Sequence, residues 1–156
     1  MMIRVQQEDF DVGQEIKSLR GNDTGIGGIC TFIGTVRELT SDKAISSMTL
    51  EHYPGMTEKA LGDIEIEANA RWSLSGSLII HRYGKLEPGD QIVLVVTASP
   101  HREAAFEACQ FLMDWLKTKA PFWKLEENKS GDHGWVDANS SDDVAANRWN
   151  EAKNKG

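Results

Sequence analysis

Two apolar stretches, Leu78-Ile79-Ile80-His81-Arg82-Tyr83 and Gln91 to Ala98, lie on either side of a Pro88-Gly89-Asp90 turn. Short β-branched and aliphatic runs bounded by turn residues read as strands, and so short a link brings the second strand back antiparallel to the first. A longer strand is expected at Ile29-Cys30-Thr31-Phe32-Ile33-Gly34-Thr35-Val36-Arg37, after the glycine-rich segment Gly21 to Gly28. Shorter ones are expected at Ile3 to Gln6, Ile45 to Tyr53 and Phe122 to Glu126, and Ser130-Gly131-Asp132 reads as a turn leading to a return at Trp135-Val136. Glu38 to Lys43 is polar and reads as a loop.

Helical spacing appears between these strands. Asp11 is placed to cap a helix from Val12 to about Leu19. Thr57 can cap a second, in which Glu58 suits the positive dipole end and Ala60, Leu61, Ile64 and Ala68 share a face. A third starts near Pro100-His101-Arg102 and turns Ala105, Phe106, Cys109, Leu112, Met113 and Leu116 inward. Pro121 stops it near Lys119, because the residue before a proline is pushed out of helical geometry. The polar tail after Ser140 has room for a short helix around Val144 to Trp149. Without a strict βαβ rhythm, the pattern predicts an α+β fold, with helices packed on a mixed or antiparallel sheet. At 156 residues the chain suits one domain over residues 1–156.

Charge removes several function classes. Seventeen Lys and Arg stand against 24 Asp and Glu, a net −7, so a general nucleic-acid surface is not expected. The first residues turn acidic at Glu8-Asp9, unlike a secretory signal, and no apolar run approaches the roughly 20 residues that span a bilayer. Cys30 and Cys109, the two cysteines, are expected as reduced core thiols in a cytoplasmic protein. Gly25-Ile26-Gly27-Gly28 precedes a strand and lacks dinucleotide-loop spacing. His52, His81, His101 and His133 are scattered, with no metal-ligand spacing.

What remains is a set of cations at element ends: Arg37, His101-Arg102, Lys117 and Lys124. Helix-start N–H groups attract anions, and His101-Arg102 adds donors there. Lys117 and Lys124 flank a Pro121 turn beside Phe122 and Trp123. A lysine near apolar surface and other cations has its ammonium form disfavoured, which frees its amine as nucleophile or proton acceptor. Such a cluster in an acidic chain suits a small phosphorylated or carboxylated substrate. Glu126 could act as acid or base, or pair with Lys124.

Several ordered blocks resemble one family. Leu50-Glu51-His52-Tyr53-Pro54-Gly55-Met56-Thr57-Glu58-Lys59-Ala60-Leu61 resembles the signature of the large, catalytic subunit of molybdopterin synthase. Phe32 to Arg37, Ile80-His81-Arg82-Tyr83-Gly84-Lys85-Leu86, Ser99-Pro100-His101-Arg102 and Met113 through Glu126 agree in order and spacing. The resemblance implies an α/β-hammerhead type of α+β fold. It also implies a cytoplasmic homodimer with a small ubiquitin-like sulfur-carrier subunit at each end, a heterotetramer in all. The implied sulfurtransferase reaction moves sulfur from the carrier's C-terminal thiocarboxylate onto cyclic pyranopterin monophosphate, forming the molybdopterin dithiolene. No resident cofactor or metal is expected; the pterin is the substrate.

By the same resemblance, Lys117 and Lys124 are the active-site lysines. Lys117 contacts or transiently bonds the carrier's terminal carbonyl, while Lys124 serves as acid/base or charge stabiliser. Arg37, His101 and Arg102 hold the phosphate, and Thr35, Val36, Leu125 and Glu126 line the pocket. Where some relatives carry an arginine shortly after the Trp-Val pair, this chain has Asn139, and its next arginine is Arg148. A rival expectation is a non-catalytic docking module for the C-terminal tail of a ubiquitin-like protein.

Overall fold

The computed structural model describes residues 2–40, 43–129, 131, 133–135 and 140–153. Among them the chain runs β1 (Met2–Gln6), α1 (Val12–Arg20), β2 (Gly28–Thr35), β3 (Leu39–Thr40), β4 (Lys43–His52), α2 (Met56–Trp72), β5 (Gly76–Arg82) and β6 (Gly84–Leu86). It continues through β7 (Gln91–Ser99), α3 (Arg102–Thr118), β8 (Phe122–Asn128), β9 (His133–Trp135) and α4 (Ser140–Lys153). Ser130, Asp132, Val136 and Asn139 lie outside the described residues.

The antiparallel pair read around Pro88-Gly89-Asp90 is present, with Ile79 facing Val95 across β5 and β7. β2 joins the far side of β7 antiparallel, whereas β1 runs parallel beside β5, so the sheet β1-β5-β7-β2 is mixed. A second sheet, β3-β4-β8-β9, carries β6 beside β4. The fold is α+β as the pattern predicts, but with two sheets where one was expected. β4 and β8 are distant in sequence, and no local signal marks their pairing. Leu39–Thr40, expected in a loop, folds back as β3 on β4.

Alternation along β5 and β7 divides the core. Leu78, Ile80, Leu94 and Val96 face Phe10 and α1, while Ile79, Val93 and Val95 face α2 and α3 through Leu61, Ile64, Ala68, Cys109 and Leu112. Asp11 caps α1 as expected, its carboxylate accepting from the Gln14 N–H at 3.0 Å. Thr57 does not cap α2. Gly55, with φ 85°, holds that position, and Glu58 reaches back to its N–H. Thr57 is instead buried in the first turn. Phe106, expected inward on α3, is 63% exposed. Among the described residues no helix is long and apolar enough to cross a membrane.

α3 lies along the face of β7 and β2. At its start the chain crosses Gly27 so closely that a Cβ there would sit 2.0 Å from the Pro100 carbonyl oxygen. Its last turn lies at the opposite end of the sheet, where β5 finishes and β7 begins.

α4 is latched onto α3. Asp114, only 6% exposed, accepts from Trp149 Nε1 at 2.7 Å and from Gln110 at 2.8 Å, and pairs with Arg148 at 3.3 Å. Trp149 meets Trp72 and Phe111 edge-on. Arg148 is thereby engaged within its own chain.

Candidate active site

The site forms where the two sheets meet, at the end of the molecule holding the last turn of α3. Arg37 is delivered by β2. A register shift between Gly34 and Thr35 re-aims the strand end, and Val36 is then pinned on both sides. Its N–H donates to the Asp90 carbonyl at 2.9 Å, and its own carbonyl accepts from Gly89 at 2.8 Å. Arg37 follows directly and is exposed. Val36 itself turns its side chain into the core, where it is 2% exposed, and both its backbone groups are paired.

β8 supplies the second element. Its register against β4 sets Phe122 opposite His52, Lys124 opposite Leu50 and Glu126 opposite Met48. Leu50 and Met48 are buried, so Phe122, Lys124 and Glu126 share the core-facing side of β8. Leu125, expected with Lys124, points to the other face, opposite Thr49 and Trp135. On that outer face Trp123 meets Tyr53 edge-on with ring centres 4.6 Å apart.

Lys117, in the last turn of α3, completes the group. Burial holds the Lys124 amine below the usual lysine range, and the neighbouring charge of Lys117 lowers it further. Glu126 and Asp142 pull the other way, and Arg37 adds a smaller downward push. Arg37, Lys117, Lys124 and Glu126, remote in sequence, are therefore neighbours in space. Thr35, also expected here, is exposed just before Val36 on the same strand end.

Two histidines share the site, although nothing in their spacing marked them. The His81 ring lies flat on Phe122, centres 3.7 Å apart at 16°, and its Nδ1 meets the Arg82 carbonyl at 2.8 Å. A carbonyl only accepts, so Nδ1 carries the hydrogen and Nε2 keeps a bare lone pair. Burial pushes the His81 imidazole down to about 4, against the Arg82 carbonyl and with help from the charges of Lys124, Lys117 and His52. His52 also meets Phe122, tilted with ring centres 5.9 Å apart, and its Nδ1 lies 3.1 Å from Thr57 Oγ1. That hydroxyl donates to the Tyr53 carbonyl at 2.7 Å, so His52 Nδ1 also bears the hydrogen. The block Ile80-His81-Arg82-Tyr83 was legible as part of a signature, but its contact with β8 was not.

His101 and Arg102 are elsewhere. They sit at the start of α3, exposed, and fifteen residues of helix at 1.5 Å each put Arg102 about 22 Å from Lys117. Within one chain they do not join the lysines, contrary to expectation, because a straight helix fixes the separation. Cys109 hydrogen-bonds with Cys30, and burial pushes its thiol up, which suits a core residue and not a nucleophile. Among the described residues no group of three or more His, Cys, Asp or Glu is placed to hold a metal ion. A separate cavity of about 150 Å³ between α2, α3 and α4 is lined by Arg71, Phe111, Trp115 and Trp149, and none of the clustered cations borders it.

A cluster of cations with one depressed amine can hold an anion and accept a proton beside it. Residues 5–119 match the family described as MoaE protein. The chain belongs to the MoaE family. It is similar to the molybdopterin synthase catalytic subunit of Pseudomonas aeruginosa, 54% identical over 151 residues, which is 97% of this chain and all of that one. Among solved structures, it resembles the molybdopterin biosynthesis MoaE protein from Burkholderia ambifaria, with a TM-score of 0.81 at 50% identity, covering 96% of this chain and 97% of that one. The crystal structure of molybdopterin synthase from Staphylococcus aureus gives a TM-score of 0.79 at 30% identity, covering 86% and 96%. In MoaE terms the fold and the sulfurtransferase class agree with what the motifs imply, and the motif lysines are those that the structure gathers.

Proposed function

We propose that this MoaE chain, as the catalytic subunit of molybdopterin synthase, carries its chemistry on the Arg37–Lys117–Lys124 cluster. Sulfur passes from the C-terminal thiocarboxylate of a small ubiquitin-like carrier subunit to cyclic pyranopterin monophosphate, and two transfers complete the dithiolene. Lys117, exposed at the end of α3, meets the carrier's terminal carbonyl. Lys124, with its ammonium form disfavoured, takes and returns protons, and Glu126 on the same face of β8 limits how far its basicity falls. Arg37 holds the phosphate, where a two-pronged guanidinium contact is directional as well as strong. The observation that carries this reading is the depressed Lys124 amine with Lys117 and Arg37 beside it.

His101 and Arg102 contribute from a second copy. Since α3 holds them at the far end of their own chain, they reach a lysine cluster only across a homodimer, in which each pocket draws on both subunits. With a carrier at each end, the assembly is a heterotetramer. The reaction runs in the cytoplasm and needs no resident cofactor, the pterin being the substrate.

The test combines purified protein, thiocarboxylated carrier and pterin precursor, with molybdopterin as readout. Lys117→Ala should nearly abolish product while circular dichroism and the melting curve stay as in the parent. Unchanged turnover would overturn the role of Lys117. A thiocarboxylate that stays intact with the unaltered protein would favour the docking-module reading.

A further inference from the structure

The cavity between α2, α3 and α4 lies apart from the lysine cluster, and its lining is chemically mixed. Phe111 and Trp115 from α3 and Trp149 from α4 supply aromatic walls. Phe111 and Trp149 stand edge-on, ring centres 5.6 Å apart at 88°, which makes a corner. Arg71 enters from α2, its guanidinium carbon 4.5 Å from the Phe111 ring centre. One of its nitrogens donates to the Glu67 carboxylate at 3.0 Å and another to the Trp149 carbonyl at 3.5 Å. A guanidinium has five N–H groups, so these two bonds leave donors over. Glu67 and Arg71 cancel in charge. Lys119, the other cation of the lining, is in no ion pair among the described residues. The cavity thus carries one positive charge in excess, within a chain whose net charge is −7. Lys119 and Asn150 are exposed, so its mouth lies where α3 ends beside α4.

We propose that this cavity is a binding site for a small planar monoanion, a single-ring aromatic carboxylate. Its volume argues for one ring, since about 150 Å³ is the size of an apolar cavity that admits benzene. The aromatic corner argues for flatness, because a planar ring can meet such walls offset or edge-on and gain beyond its buried area. The charge argues for one carboxylate, held by the remaining N–H groups of Arg71 and by the Lys119 ammonium at the mouth. A dianion would exceed the single surplus charge, and a neutral ring would leave it unanswered. The walls are already set: the Trp149 indole N–H is fixed on Asp114 at 2.7 Å, so binding demands little reordering. A ligand touching all three helices favours the state in which α4 lies on α3. The site does not depend on the roles assigned to Lys117 and Lys124.

Benzoate is the probe, added to the full-length protein, with the indole N–H resonances of Trp115 and Trp149 as the readout. Both should shift along one saturable curve, with a dissociation constant of about 1 mM or tighter. Benzyl alcohol, which lacks the charge, and acetate, which lacks the ring, should each bind about fivefold more weakly or worse. Ala146 borders the cavity from α4, so Ala146→Phe fills the space and should abolish the shifts. Lys119→Gln removes the surplus charge and should weaken benzoate about threefold or more. If Ala146→Phe fails to fold by circular dichroism, Lys119→Gln at its exposed position decides alone. No saturable shift up to about 20 mM benzoate would overturn the proposal. Undiminished binding to Lys119→Gln or to folded Ala146→Phe would do the same, as would benzyl alcohol or acetate matching benzoate. Saturation at the Lys124 ¹⁵Nζ resonance with both indoles unmoved would put the anion in the lysine pocket and equally sink the site.

Discussion

Acid should unfold this protein through His81 before any carboxylate dominates, and the effect can be sized. The ring is 8% exposed, and burial takes it to about 4 from an ordinary 6.5. The unfolded chain therefore accepts a proton below pH 6.5 that the folded chain refuses. Stability is complete above that pH and is lost as pH falls towards 4. At about 1.36 kcal/mol per unit, the loss from pH 7.5 to pH 5 is about 2 kcal/mol, approaching about 3 kcal/mol at pH 4. Urea unfolding of the parent and of His81→Gln, at one fixed protein concentration, isolates this contribution. Groups such as Glu65, raised by burial, titrate in both proteins and cancel in the difference. The parent should lose its advantage, or fall behind, by about 2 kcal/mol between those pH values. A stability difference that stays constant to within about 0.5 kcal/mol across the range would refute the claim that His81 is held neutral by the fold.

Further expectations concern the rest of the site. Lys117→Gln removes a cation that disfavours the Lys124 ammonium, so the Lys124 titration should move to higher pH, read from its ¹⁵Nζ shift. Asp114→Ala strands the Trp149 and Gln110 donors; it should cost about 2–3 kcal/mol in thermal or urea unfolding and leave α4 open to proteolysis. If each pocket joins lysines from one copy to His101 and Arg102 from the other, dimers mixed from Lys117→Ala and Arg102→Ala chains hold one pocket with both defects and one with none. Each mixed dimer should regain about half the activity of the parent dimer, so an equal mixture that pairs at random reaches about a quarter, whereas either variant alone stays inactive.

What could be read from the chain before folding followed physical range. The β5–β7 pair, the cap at Asp11 and the stop at Pro121 depend on neighbours a few residues away, and each appears where expected. The cap of α2 was misplaced by two residues, since Gly55 with Glu58 serves as well as a threonine hydroxyl. Phe106 was assigned inward by period alone, and its 63% exposure shows how one helical position on the boundary can fall either way. The lysines were legible as a motif, but their effect on one another depends on β4–β8 register, which no local pattern encodes. Leu125 shows what a motif omits: adjacency to Lys124 along a strand places its side chain on the opposite face. His101 and Arg102 belong to the same motif set but lie a helix length from Lys117 within one chain, because a motif carries order and not distance.

The latch on Asp114 ties the tail to the helix that ends in Lys117. Asp114 lies one turn before that lysine, and Asp142 at the front of α4 already influences Lys124. Losing a hold on Trp149 would thus free more than a terminus: it would withdraw a negative charge from the amine and loosen the ground under the lysine beside it, so that a stretch of chain with no reacting group of its own sets the acidity at which the catalyst is ready.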